Sequence, residues 1–403
     1  MLIEFTVGNY LSFKEKKTLS LEATAIKDNP ENVIDAGKYK LLRSAVIYGA
    51  NSSGKSNLIK ALTKMRILIT SSTKLSSTTE LEIKPFLLST DTENQPSSFE
   101  ILFLLDGIRY RYGFEVDNKK IHAEWLFECK LNTEKNLFIR EDDNIEISNE
   151  FEEGKGIEGK TRSNALFLSV VDQFNGAISK KIMEWVFFTS TFSGIEHENM
   201  KALTTSFVED TETSLLIRDF LTPLNLGFQS FALKDETFKT LHHKFDKNGT
   251  IADTHEFDLI AQESSGTNKL FDMSGVITFC LRLGKVVVID ELDAKLHPLL
   301  TMAIVKLFNS PETNPKNAQL IFATHDTNLL NYGCFRRDQI YFTEKDRFEA
   351  TDLYSLAEYK EPDGKKVRKD RSFEKDYIEG RYGAIPFVGD FSKLITDGKQ
   401  SEN

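Results

Sequence analysis

Gly49-Ala50-Asn51-Ser52-Ser53-Gly54-Lys55-Ser56 stands between the apolar run Ala45-Val46-Ile47-Tyr48 and a segment that carries Leu58, Leu62, Met65 and Ile69 on one helical face. The spacing GxxxxGK[S/T], entered by a strand and left by an amphipathic helix, is that of a P-loop. Its glycines let the backbone wrap a triphosphate, and the helix that begins near Lys55 adds its positive N-terminal end. Gly49, Asn51, Ser53, Gly54, Lys55, Ser56 and Asn57 are therefore the candidate nucleotide-binding residues. Lys55 is suited to neutralise β/γ-phosphate charge, and the Ser56 hydroxyl to ligate Mg²⁺.

Working outward, Gly284-Lys285-Val286-Val287-Val288-Ile289-Asp290-Glu291 holds four consecutive β-branched residues and ends in two acids. This is the pattern of a parallel strand covered on both faces. Paired with a P-loop it reads as a Walker B strand, with Asp290 in the Mg²⁺ shell and Glu291 orienting and polarising an attacking water. A second buried strand, Ala318-Gln319-Leu320-Ile321-Phe322-Ala323, runs into Thr324-His325-Asp326. Ligands of open α/β sheets collect at such strand tips, which makes His325 a candidate γ-phosphate contact. Just upstream of the acidic strand, Gln262-Glu263-Ser264-Ser265-Gly266-Thr267-Asn268-Lys269 precedes an apolar helix from about Leu270 to Leu283, capped by Gly284. Small polar residues at a helix N-terminus suit an anion.

Composition narrows the class. In 403 residues, 40% are hydrophobic and 28% charged, which is enough for one large or two modest soluble domains. The formal charge of −10 disfavours a globally basic nucleic-acid binder and leaves room only for a local basic channel. No apolar run is long enough to span a bilayer, and Met1-Leu2-Ile3-Glu4-Phe5 reads as a strand rather than a signal peptide, so a cytoplasmic protein without a membrane partner is expected. Cys129, Cys280 and Cys334 lie far apart and read as buried reduced thiols.

Along the chain, Leu2–Val7 and Thr18–Ala23 read as strands around a polar turn, and residues 28–40 as a loop. Ser71–Thr79 is a Ser/Thr-rich loop. From Phe99 the pattern becomes period two, with Asp106-Gly107 as a hairpin signal and further strands at 121–131, 137–140 and 144–147, hence an antiparallel β-meander. Asn164–Trp185 and Glu212–Leu221 read as helices, Thr189–Glu209 has no clear period, and 228–233 and 255–260 are strand candidates.

These pieces in this order resemble the ABC-type ATPase heads of the SMC/RecF/OLD group. The resemblance implies an α/β P-loop NTPase fold, an ABC-ATPase head with an inserted antiparallel β-meander and a helical lobe. Its parts would be the N-terminal core with Walker A (1–70), the meander (71–163), the helical lobe (164–254), the C-terminal core with signature, Walker B and switch histidine (255–345) and a C-terminal extension (346–403). Ser264-Ser265-Gly266-Thr267 matches the signature motif, with Ser264 at the γ-phosphate-binding position and Gly266 a further ATP-binding residue; Asp293, also ATP-binding, is the D-loop and His325 the switch histidine. The signature departs from LSGGQ at Glu263, Ser265 and Thr267. Gln173 in Val171-Asp172-Gln173-Phe174 is the candidate Q-loop residue and Mg²⁺ ligand. More narrowly, Ser44–Asn51, Arg336-Arg337-Asp338-Gln339-Ile340-Tyr341-Phe342 and Tyr377–Pro386 are similar to the bacterial abortive-infection and restriction-linked ATPases, the AbiL/RloA-like group.

That resemblance implies ATP and Mg²⁺ as cofactors, hydrolysis of ATP to ADP and phosphate, and an ATP-sandwiched homodimer or higher oligomer. It also implies an anti-phage role beside a separately encoded effector, of which a Toprim-type nuclease is one kind, with DNA or a phage protein as further partners. Two other functions stay open: a slowly hydrolysing nucleotide-dependent scaffold, and an ATPase-regulated nuclease. For the latter, Asp352 with Glu358-Tyr359-Lys360 has PD-(D/E)xK-like spacing, but no histidine follows His325 and no DxD pair marks a Toprim site in the tail. The mixed-charge stretch 360–381 reads as an exposed face or a docking surface, and residues from Asp390 as a frayed end.

Overall fold

A computed structural model describes residues 1–130, 133–361, 364–386 and 389, so the frayed end expected from Asp390 lies outside the described residues. The chain opens with β1 (Leu2–Gly8) and β2 (Lys17–Ser20), an antiparallel pair joined by a turn in which Tyr10 bridges Phe13. Where a loop was expected over 28–40, β3 (Val33–Ala36) and β4 (Tyr39–Leu42) form a small hairpin. Ile34 and Leu41 bury there under Ile3 and Leu104, and Leu42 buries in the main core, while the other five residues of the pair are exposed or half-buried, so the apolar signal was too sparse to register as strands. β5 (Ser44–Tyr48) and α1 (Lys55–Ser71) flank the P-loop as expected.

The meander comprises β6 (Ser97–Leu105), β7 (Ile108–Val116), β8 (Ile121–Lys130), β9 (Thr133–Glu141) and β10 (Asn144–Ile147). Asp106 and Gly107 both take positive φ, 51° and 77°, as a two-residue hairpin requires. The meander does not stand apart: β6 pairs with β1, giving one seven-stranded sheet in the order β10-β9-β8-β7-β6-β1-β2.

The segment read as a single helix over 164–185 is two, α2 (Phe167–Gln173) and α3 (Ala177–Phe187), broken at Asn175 with φ 65°. Then come β11 (Ser190–Ser193), α4 (Glu198–Val208) and α5 (Thr211–Leu221). The span expected as a helical lobe also holds strands β12 (Ser230–Lys234), β13 (Thr237–Phe245) and β14 (Ile251–Asp258), a three-stranded antiparallel sheet. The short α6 (Leu259–Gln262) leads into α7 (Ser265–Leu283), which starts five residues earlier than its apolar pattern. β15 (Val286–Asp290), α8 (Pro298–Asn309), β16 (Gln319–Ala323), β17 (Ile340–Lys345), β18 (Thr351–Ser355) and α9 (Phe373–Ile378) complete the chain.

The second large sheet runs β11-β15-β16-β5-β17-β18, parallel except for β18. Its central strands bury both faces, and strict alternation sorts their side chains. Val286 and Val288 face a core shared with Leu58, Leu62, Met65 and the first sheet, whereas Val287 and Ile289 face α7 and α8 through Phe271, Val276 and Phe308. α1 is thus packed between the two sheets, and the P-loop is brought to the same edge as the tips of β15 and β16.

Candidate nucleotide-binding site

The P-loop geometry follows from its glycines. Gly49 takes φ 156°, and a β-carbon there would strike Ser53 Oγ and Thr343; Gly54, at φ 117°, caps α1 and has the Thr351 side chain against it. Both positions combine positive φ with contact too close for a side chain. Ser53 Oγ shares a 2.6 Å hydrogen bond with Thr343 Oγ1. The Thr351 hydroxyl donates to Ser53 O at 2.9 Å and shares a 2.7 Å hydrogen bond with the Ser12 hydroxyl, to whose oxygen Asn57 Nδ2 donates at 2.8 Å. Ser12, Thr343 and Thr351 therefore brace the loop, and no local pattern pointed to them.

Asn51, Ser52, Ser53, Gly54, Lys55, Ser56, Asn57, Glu291 and His325 line one polar cavity of about 280 Å³. Lys55 is buried, and its Nζ donates to Gly49 O at 2.7 Å and Ala50 O at 3.1 Å. Burial lowers its pKa from the usual lysine value, against the pull of Asp290, Glu291 and Asp293. The His325 imidazole is likewise held below its ordinary pKa, first by burial and then by the Lys55 charge. Its amide donates to Asp293 Oδ2 at 3.4 Å, which links the β16 tip to the loop after β15.

A divalent cation fits this donor set. Asp290 Oδ1 is buried without a hydrogen-bond partner at the end of β15, although among the described residues no three His, Cys, Asp or Glu side chains are grouped as a ready-made metal site. Uncompensated carboxylate oxygens in such a place suit a hard ion with oxygen ligands. Ser56 would complete the pair with Asp290. Gln173 is not brought here: it is exposed at the end of α2, outside the cavity lining. The strand beside β15 is β11, whose Ser193 is in register with Asp290 and whose Gly194 amide donates to Asp290 O at 2.7 Å.

Ser264 and Gly266 also lie outside the cavity lining. Ser264 is the N-cap of α7, its Oγ accepting from Thr267 N at 3.1 Å, and Ser264 and Ser265 are exposed. Glu263, which departs from the signature pattern, is held by His242 of β13 at 2.7 Å and by the Thr240 hydroxyl. The three-stranded sheet is thus anchored to the start of α7.

The other quoted motifs are architectural. Arg336 is buried in a fork on Asp338 at 2.9 and 2.8 Å and donates to Asp28 O at 2.7 Å, while Gln339 donates to Ser44 O at 3.0 Å. Tyr377 packs on Tyr48 and Phe342 behind the P-loop strand, and Tyr382 donates to Asp376 at 2.9 Å. Asp352 pairs with Lys17 at 2.5 Å, and Glu358 accepts from Ser355 N and Oγ at 2.9 Å, so these two acids already serve the fold. Among the described residues of 360–381, Arg368 and Asp370 pair at the surface as expected, but Arg371 pairs with a buried Asp376, and Val367 and Tyr377 are buried in the core, so the stretch is only partly an exposed face.

A profile of the family described as "AAA domain, putative AbiEii toxin, Type IV TA system" matches residues 44–331. Among solved structures, the SMC head domain from Thermotoga maritima is 13% identical, with 88% of this chain and 98% of that chain covered at a TM-score of 0.43. An SMC head bound to the C-winged helix domain of ScpA is 11% identical, covering 88% and 97% at 0.46. CbiO1 from Clostridium perfringens, part of the ABC transporter complex cbiONQ, is 10% identical, covering 85% and 86% at 0.33. No curated protein matches the chain. With the family match spanning β5 to the segment after β16, and with P-loop, acid-tipped and histidine-tipped strands side by side in one sheet, the chain belongs to this AAA-domain family of P-loop ATPases.

Proposed function

We propose that the chain hydrolyses ATP at a composite site formed by two copies, and that this cycle regulates a separately encoded effector in anti-phage defence. The observation that carries the ATPase part is the convergence of Lys55, Ser56, Glu291 and His325 on one cavity. Bound MgATP supplies the transferable γ-phosphoryl group. Lys55 and the P-loop backbone hold the phosphates, and Ser56 and Asp290 hold the cation. Glu291 orients a water and accepts its proton, and the neutral His325 imidazole offers one N–H toward the γ-phosphate position.

The dimer part rests on α7. Ser264 and Ser265 are exposed at the N-terminus of a 19-residue helix yet contribute nothing to the cavity of their own chain. In the proposed assembly they meet the nucleotide held by the other copy. ATP then shifts the open and closed forms by its differential affinity for them. The defence role and the effector, of which a Toprim-type nuclease is one kind, follow from the family resemblance. Co-purification with the neighbouring gene product, with and without ATP, followed by a nuclease assay, tests that part. An effector that binds regardless of nucleotide and of the Lys55→Ala change would contradict it.

A further inference from the structure

Lys269 lies on α7, five positions beyond the Ser264 cap, and its side chain is fully buried. Its Nζ donates to Ala294 O at 2.6 Å, Leu292 O at 2.9 Å and Glu291 O at 3.3 Å. All three acceptors are main-chain carbonyls of the loop that carries Glu291. Burial of the ammonium lowers its pKa to about 8. A buried charge is costly unless its donors are satisfied, and an apolar side chain of similar volume would fill the space at less cost.

The loop itself explains the need for a cation. Glu291 and Lys295 both take left-handed φ, 52° and 62°, which L-residues adopt reluctantly. Turned this way, the chain directs three carbonyl oxygens at one point. The rest of the loop is gripped from two other sides: Gly194 N donates to Asp290 O at 2.7 Å, and Leu292 N donates to Ala323 O at 3.1 Å, at the end of the strand that leads to His325. From the α7 side, a β-carbon on Gly266 would come within 2.9 Å of Lys295 O, so the helix start and the loop are in direct contact.

We propose that Lys269 is a positioning residue that locks the Glu291 loop to α7, so that engagement of the Ser264 end of α7 by the other copy's nucleotide is transmitted to the carboxylate that activates water. This deepens the composite-site reading and rests on it. Ser264 and Lys269 are separated by about 7.5 Å along one helix at about 1.5 Å per residue, a rigid connection. Turnover would thereby be tied to dimer closure, because the group that senses closure and the group that performs chemistry share one salt-free ammonium contact.

The test uses the full chain with Lys269→Met and Lys269→Arg, with turnover expressed per nucleotide-binding site from titration with a fluorescent ATP analogue. Lys269→Met is expected to bind the analogue within about two-fold of the unsubstituted chain and to lose about 100-fold in kcat at nearly constant KM, the loss typical of small misplacements of a reacting group. Lys269→Arg, which keeps cationic donors, is expected to recover at least about ten-fold of that loss. Full kcat in folded Lys269→Met would overturn the proposal while leaving the ATPase reading intact; absence of turnover in the unsubstituted chain would overturn both. Should neither variant fold, amide hydrogen exchange on the unsubstituted chain decides. ATP is expected to slow exchange in residues 291–296 together with the first turns of α7, and slowing in α7 alone would overturn the coupling.

Discussion

Replacing Lys55 by alanine removes the one ammonium that lines the P-loop cavity, and the structure sets the size of the effect. Lys55 Nζ holds Gly49 O and Ala50 O, and it must exchange these for phosphate oxygens when ATP binds. Both sets of bonds have an ionised donor, so the gain comes from the ionised acceptor, about 1–1.5 kcal/mol for each of the two bonds. The balance of about 2–3 kcal/mol corresponds to a loss of about 30- to 150-fold in affinity. Ligand linkage gives a readout that needs no turnover. At ATP equal to about 100 times Kd, the unsubstituted chain gains about 2.7 kcal/mol of stability, whereas a variant weakened about 100-fold gains about 0.4 kcal/mol at the same concentration. Urea unfolding with and without MgATP measures both, and direct titration with a fluorescent nucleotide checks the affinity. Equal ATP-induced stabilisation of the two proteins would refute the placement of the phosphates.

Three further outcomes are expected. Glu124→Ala should cost about 3–5 kcal/mol in urea unfolding, because it leaves the Arg140 charge buried and unpaired and strips the Glu124 contacts to Phe167 N, Leu168 N and Tyr112; a cost below about 1 kcal/mol would contradict the pairing. Ser264→Ala should cost only about 1 kcal/mol as a lost helix cap, yet weaken ATP-dependent association more than that figure predicts. Asp290→Asn should make nucleotide binding insensitive to EDTA and much weaker in Mg²⁺, since it removes the carboxylate whose Oδ1 has no protein partner; a titration in which EDTA still weakens the variant's binding would count against that metal ligand.

Much of this site is legible from residues alone because its parts are short-range patterns. The P-loop, the four β-branched residues before Asp290 and the apolar run before His325 each declare a local structure, and a parallel sheet collects their tips at one edge. What brings them together is long-range and leaves no local mark. Ser12, Thr343 and Thr351 brace the P-loop from about 40 and 300 positions away. Lys269 looks like an ordinary charged residue on an amphipathic helix until its burial is seen. The meander was readable as strands, but its union with β1 depends on a register that only the folded sheet specifies. β13 was missed because His242, His243 and Lys244 interrupt its alternation, and those polar side chains include the one that holds Glu263. Gln173 was chosen by residue type, whereas the strand tip beside Asp290 belongs to Ser193.

The central claim is that the cavity is half of a site completed by a second copy. Glu291→Gln keeps the shape of the carboxylate while removing its ability to accept the water's proton, so ATP should remain intact and the closed form should accumulate. Light scattering coupled to size exclusion, with MgATP in the running buffer, measures this directly. The account predicts twice the 45.9 kDa chain mass for Glu291→Gln with ATP and its loss when Lys55→Ala is added. A mass of one chain, at ATP concentrations shown to saturate binding, would contradict it.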